Sequence, residues 1–215
     1  MFDMDRTLLK KETASLYVRY QREIGEATTR DLLRTLGWVF QYTVGTLDMN
    51  RVAKKALATL EGMPEVDMAT RCDDWFRRSV ERHLADGGRL AVKAHQASGD
   101  VCAIVTGASA YVSRPLARLL GIPHVVSSVF EVDQDGLFSG RAVEPLCFGE
   151  GKLARASKLA DELGLPLSEA VFYSDSASDL PLLERVGVPV AVNPDAKLAK
   201  VAKRRGWRVE TWYWG

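Results

Sequence analysis

Two kinds of hydrophobic spacing share this chain, and one gives way to the other near residue 90. From about Lys11 to Leu90 apolar residues recur every three or four positions with few β-branched runs, the pattern of amphipathic helices. In ETASLYVRYQREIG, Leu16, Tyr17, Tyr20 and Ile24 fall on one face and Gly25 supplies a stop. DMNRVAKKALATLEGM and DMATRCDDWFRRSVERHLADGG repeat the spacing, and the second is expected to end at Gly87-Gly88. Beyond Asp100 short apolar runs take over: VCAIVT, HVVSSVFEV, AVFYS and VPVAVN. Helical segments follow them: YVSRPLARLLG, GKLARASKLADELG, DLPLLERVG and DAKLAKVAKRRG. LFSGRAV after DQDG completes a hairpin with its turn at Asp135-Gly136. Strands that are apolar throughout, alternating with helices, indicate a parallel sheet covered on both faces.

The expected fold is therefore α/β, a Rossmann-like doubly wound parallel sheet. Its core comprises residues 1–10 and 90–215, and a helical unit of residues 11–89 is inserted after the first strand. Ligands of such sheets bind where the strands run out at their carboxyl ends. Four places qualify: Asp3-Asp5, Thr106, the helix start at Lys152, and the stretch from Asp175 to Asp179.

Composition narrows the partners more than the chemistry. The 215 residues are 47% hydrophobic and 27% charged, enough apolar material for a full core. A net charge of +1 gives no reason to expect nucleic acid or an anionic membrane as partner. In KLAKVAKRRGWR the positive charges read as a solvated helix face, with Leu198, Val201 and Ala202 turned inward. Cys72, Cys102 and Cys147 are widely spaced, which argues for a reducing cytoplasm and against a disulfide framework or a zinc site. No signal peptide is expected, and the run from Leu36, LGWVFQYTVGTLDMN, is too short and too polar for a span, so no stable membrane insertion is expected. Together with the segment GWRVETWYWG it reads as packing material, with a hydrophobic substrate site or an oligomer contact as alternatives. His83, His95 and His124 are isolated and receive no role.

The chemistry concentrates at the four strand ends. In extended backbone, residues i and i+2 face one side, so Asp3 and Asp5 can enter one pocket while Met4 packs away. Two carboxylates so close need a cation, a shared proton, or both. YSDSASDLP offers a second acidic pair, Asp175 and Asp179, and a hard divalent ion on carboxylate oxygens and water suits the set. Mg²⁺ fits a site that also takes a phosphate. Thr106 can donate its hydroxyl to an oxyanion beside the Gly107 amide, and Lys152, after FGEG, can bring a compensating charge. This is a kit for phosphoryl transfer to a carboxylate.

The motifs resemble a known family. DMDRT looks like the Asp-x-Asp-x-Thr motif of haloacid dehalogenase-like phosphohydrolases, IVTGAS their second motif, GEGK the third and SDSASD the fourth, in the family's order. Helices between the first two motifs are similar to the small cap of subfamily IB, the branch that includes phosphoserine phosphatases. The phrase CFGEGK…YSDSASDLPLLE…PVAVNPD looks most like the broader bacterial phosphatases of that branch. The resemblance implies a Mg²⁺-dependent phosphatase acting on a small-molecule phosphomonoester, which the cysteine usage places in the cytoplasm. Asp3 would attack phosphorus and become an aspartyl-phosphate; Asp5 would protonate the leaving alcohol and later activate water. Mg²⁺ would sit between Asp3, the Asp5 carbonyl and Asp175, with Asp179 in support. Thr106 and Lys152 would hold phosphate oxygens, and Thr7 would orient the first loop. Glu12, nine residues after Asp3, stands where phosphoserine phosphatases carry a substrate-binding glutamate, although a helix-dipole role is its alternative. No cap arginine aligns; Ala56 falls at that place.

Three departures accompany the resemblance. Arg6 occupies a position often held by glycine or another small residue, which bears on the approach to the cap. Ser174 and Ser178 stand where glycine and asparagine are frequent, which bears on the outer metal shell. Only two residues precede Asp3, where a strand usually needs about five, so a truncated or misassigned start is expected in preference to an unusually short strand. Competing readings keep the mechanism with a lipid phosphate such as phosphatidylglycerophosphate as substrate, or replace turnover with a phosphorylated receiver or a catalytically weak phosphate-binding protein.

Overall fold

The computed structural model describes residues 1–26, 54 and 56–214. The apolar stretch from Leu36 to Asn50 lies outside the described residues.

The sheet is built around the first two residues, Met1 donating to Val171 O at 2.8 Å and accepting from Tyr173 N at 3.2 Å. Phe2 bridges Ile104 on one side and Tyr173 on the other, both in parallel sense. Its amide donates to Ala103 O at 2.9 Å and its carbonyl accepts from Val105 N at 2.8 Å, while Asp3 N donates to Tyr173 O at 2.9 Å. Phe2 thereby joins strand β1 (Ala103–Ser109) to β4 (Val171–Ser174). Parallel pairing extends outward from β1 to β2 (His124–Val132), and from β4 to β5 (Val188–Val192) and β6 (Arg208–Glu210). An antiparallel strand, β3 (Phe138–Val143), flanks β2 as expected for a hairpin. Its turn is held by Asp133, whose Oδ1 accepts from the amides of Asp135 at 2.9 Å and Leu137 at 3.0 Å, with Gly136 at φ +77°.

Successive strand residues feed two separate cores, as strands covered on both faces must. Phe2, Ile104, Tyr173, Val190 and Val192 join one cluster with Val92 of helix α3 (Asp86–Ala97) and Leu116 of α4 (Ala110–Leu120). Val105, Phe172 and Ala191 join the other. There they meet Ala156 of α5 (Glu150–Leu163), Leu182 of α6 (Leu180–Leu183) and Leu198 of α7 (Ala196–Arg205). The doubly wound architecture expected from the apolar strands is the one observed; Cys102 and Cys147 are free and buried in it, and Cys72 is free and buried in a separate apolar cluster with Met68 and Phe138.

Between the first loop and α3 the described residues include α1 (Thr13–Glu23) and α2 (Glu65–Trp75), the latter loosening through Phe76–Val80 and tightening through Glu81–His83. Gly25 stops α1 at φ +80°, as expected. The pair Gly87-Gly88 does the opposite of its expected work, lying in the first turn of α3 instead of ending a helix. Trp212 packs directly on them: a Cβ at Gly87 would stand 2.6 Å from the indole, and one at Gly88 3.2 Å. His95, near the end of α3, bridges Asp100 Oδ2 at 2.7 Å and Tyr173 Oη at 2.9 Å, tying that helix to the sheet. Among the described residues no helix is long and apolar enough to cross a membrane.

Candidate active site

The loop after Phe2 carries Asp3 and Asp5 past the end of the sheet in a tight turn over Met4–Leu8. Its irregular point is Arg6, at φ +57° and ψ 5°, a left-handed conformation that costs an L-residue about 1–2 kcal/mol. Leu9 N closes the loop onto Met4 O at 2.9 Å. Parallel pairing through Phe2 sets the loop beside the ends of β1 and β4, so Asp3 meets Lys152 and the acids Asp175 and Asp179 from distant parts of the sequence.

Lys152 organises the cluster. It sits in the first turn of α5, is 4% exposed, and donates from Nζ to Asp3 Oδ1 and to Asp179 Oδ2, both at 2.8 Å. Asp179 also accepts from Ser174 Oγ at 2.7 Å. Ser174, which departs from the family's usual residue, thus serves the acidic pair directly. Asp175 accepts from Thr7 Oγ1 at 3.5 Å and lies 3.5 Å from Arg6 Nε. Arg6 Nη1 in turn stands 3.6 Å from Glu12 Oε1, which brings Glu12 to the rim of the same site. Asp5 is turned toward the start of α1, accepting from Thr13 N at 2.8 Å and Thr13 Oγ1 at 3.0 Å.

Burial and mutual repulsion push Asp3, Asp5 and Asp175 toward protonation. Burial, then the charge of Asp3, raises Asp5 to about 7. Burial raises Asp3 against the opposing pull of the Lys152 ammonium, and burial with Asp3's charge carries Asp175 well above the usual carboxylate range. Thr106, in β1, is buried, its Oγ1 accepting from Ala108 N at 3.2 Å. Gly107 is required by packing as well as by any approach to an oxyanion, since a Cβ there would stand 2.2 Å from the Phe148 ring.

The donor set decides which ion could belong here. Asp3, Asp5, Asp175 and Asp179 face two cations, Lys152 and Arg6, an excess of acids that a divalent ion would offset. Among the described residues no three His, Cys, Asp or Glu side chains form a ready metal cage. Carboxylate oxygens are the donors of a hard ion such as Mg²⁺, which takes one or two carboxylates and fills its octahedron with water and substrate phosphate.

The family model for haloacid dehalogenase-like hydrolases matches residues 1–184. The chain belongs to that family. Its likeness to a histidinol-phosphatase of Neisseria meningitidis runs at 31% identity over 97% of this chain and 96% of the relative. A phosphoserine phosphatase of Mycobacterium tuberculosis is 32% identical over 97% of this chain and 68% of its own length. A crystal structure of a protein of unknown function from Bordetella pertussis superposes with a TM-score of 0.88 at 32% identity, covering 99% of this chain and 97% of that one. A substrate-bound phosphoserine phosphatase superposes at 0.71 with 19% identity over 99% of this chain and 91% of its own, a likeness of fold. The chain is thus a haloacid dehalogenase-like hydrolase with relatives that carry phosphatase names.

Several residues of the site carried no signal in the sequence. Thr13 reads as an ordinary helix-start threonine, yet both its donors reach Asp5. Asp195 caps α7 through Leu198 N at 2.7 Å, a role its position before the helix suggests. Its amide also donates to Asp175 O at 2.8 Å and its Oδ2 accepts from Ala177 N at 2.8 Å, which nothing local foretells. Tyr213, from the segment expected to pack or line a site, donates its hydroxyl to Arg6 O at 2.7 Å.

Proposed function

We propose that this hydrolase releases phosphate from a small phosphomonoester through an aspartyl-phosphate on Asp3, with Mg²⁺ as cofactor, and that residues 11–89 act as its cap. The observation that carries the reading is Lys152, buried and bonded to both Asp3 and Asp179. A lysine so placed opposes the effect of burial on Asp3 and favours its ionised, nucleophilic form. Because Lys152 engages Oδ1, attack falls to Asp3 Oδ2, which forms a bond to phosphorus as the bond to the leaving oxygen breaks. Asp5, with a pKa near 7, gives its proton to that oxygen. Once ionised, Asp5 takes a proton from water, whose oxygen attacks phosphorus and returns Asp3 as a free carboxylate with inorganic phosphate. Thr106 and Lys152 hold the phosphoryl oxygens through both steps, with Gly107 offering its amide. Asp3, Asp175 and the Asp5 carbonyl would hold Mg²⁺, supported by Asp179; bound there, the ion supplies charge neutralisation of the phosphate and its transition state.

The names of the relatives direct the substrate search toward phosphomonoesters such as histidinol phosphate and phosphoserine, with Arg6 and Glu12 as the charged rim a leaving group would meet. The lipid-phosphate alternative drew on the apolar stretch outside the described residues, and no described residue adds to it.

The deciding test is hydrolysis of p-nitrophenyl phosphate with and without Mg²⁺, in the wild type and in Asp3→Asn. Activity that needs Mg²⁺ and vanishes in Asp3→Asn is expected, with a wild-type adduct of phosphate mass on Asp3 after acid quench. Equal rates in the two proteins would defeat the proposal. Phosphoserine, histidinol phosphate and a sugar phosphate then sort the substrate.

A further inference from the structure

Arg6 poses a problem for the nucleophile loop. It lies between Asp5 and Thr7 with φ +57°, a conformation that glycine adopts freely and a side-chain-bearing residue resists. The loop's own bond from Leu9 N to Met4 O closes the turn, and a contact from outside the loop adds to it. The partner at the Arg6 carbonyl is Tyr213, more than 200 positions away in sequence, whose hydroxyl donates at 2.7 Å. Tyr213 is itself fixed: Asn193 Nδ2 donates to Tyr213 O at 2.9 Å, and Asn193 Oδ1 accepts from Trp212 N at 2.9 Å. Asn193 follows β5 directly, two residues before the Asp195 that grips Asp175 and Ala177. Two segments, Asn193–Asp195 and Trp212–Tyr213, thus connect the loop of Asp3 and Asp5 to the loop of Asp175.

We infer that Tyr213 is a positioning residue for catalysis, its hydroxyl locking the left-handed turn at Arg6 and so aiming the Asp3–Asp5 loop. With the lock in place, the Arg6 guanidinium reaches Asp175 on one side and Glu12 on the other. Without it the turn at Arg6 relaxes toward ordinary backbone, and the two acids that flank Met4 lose their mutual alignment. The inference rests on the phosphatase reading above, and its test separates the two.

The experiment is a double-mutant cycle on p-nitrophenyl phosphate hydrolysis. Tyr213→Phe removes one hydroxyl, and it should lower kcat by about 3–10-fold, with KM and the midpoint of thermal unfolding nearly unchanged. In an Arg6→Gly background the lock is redundant, because glycine takes the turn unaided, so adding Tyr213→Phe should leave kcat where Arg6→Gly put it. Trp214→Ala, on the neighbouring residue that is 89% exposed, should change neither. If Tyr213→Phe lowers kcat by the same factor in both backgrounds, or in neither, the inference falls while the phosphatase reading stands. If the wild type and Asp3→Asn are equally inactive, both fall together.

Discussion

Lys152 illustrates how much one side chain can hold. Two buried carboxylates share its ammonium at 2.8 Å, and its own exposure is 4%. Breaking a buried ion pair by removing one partner commonly costs about 3–5 kcal/mol, because the orphaned charge stays behind. Lys152→Met keeps the length of the chain and removes the charge, so it should lower both stability and turnover, the latter by roughly 10²–10³-fold. A second change tells these apart. Lys152→Met combined with Asp179→Asn removes a negative charge along with the positive one, and the amide oxygen so introduced would still accept from Ser174 Oγ. Thermal unfolding of the double variant should recover toward wild type while its kcat stays low. If stability and activity recovered together, the lysine would be a structural counter-ion and no part of the chemistry.

At the scale of elements, Lys152 works because α5 begins where it does. Gly151 precedes it, and a Cβ there would stand 1.9 Å from Leu146 O, a backbone atom that cannot swing aside. Gly151→Ala must move the start of the helix, at an expected cost of about 1–3 kcal/mol, and the displaced Lys152 should take kcat with it. Gly164, at the other end of the same helix, has φ +65° and nothing within 4 Å of a Cβ. Gly164→Ala should cost about 1 kcal/mol through backbone strain alone and leave kcat unchanged. Urea unfolding and kcat on both variants check the contrast; equal losses of activity would remove the helix start from the argument. The same helix shows what was legible in the sequence. GKLARASKLADELG announces a helix through its own periodicity, and the strand runs announce a sheet covered on two faces, because local spacing answers to burial. The four motif segments could be placed at strand ends for that reason. The glycine pair at Gly87-Gly88 could not: its meaning depends on Trp212, which packs on it from the far end of the chain. The bond from Tyr213 to Arg6 was hidden likewise, since neither residue has a local feature that names the other.

Across the whole molecule, neighbouring residues after β6 divide two tasks. Trp212 is 8% exposed, covers the first turn of α3 and lies 5.1 Å from the Tyr173 ring in β4, so it belongs to the core on one face of the sheet. Tyr213 turns instead to the nucleophile loop. Trp212→Ala should therefore be a stability variant. Deleting a buried tryptophan typically costs about 3–5 kcal/mol, which for a chain of this size shifts the unfolding midpoint down by about 6–20 °C. The protein that stays folded at low temperature should keep most of its kcat, since the acids and Lys152 are bonded to one another and not to the indole. Tyr213→Phe should show the reverse, a nearly unchanged midpoint with reduced kcat. Measuring both quantities on both variants tests the division. A Trp212→Ala protein that lost its kcat at temperatures well below its midpoint would mean that the core contact and the loop lock act as one unit, the indole holding α3, the sheet and Tyr213 in a single register.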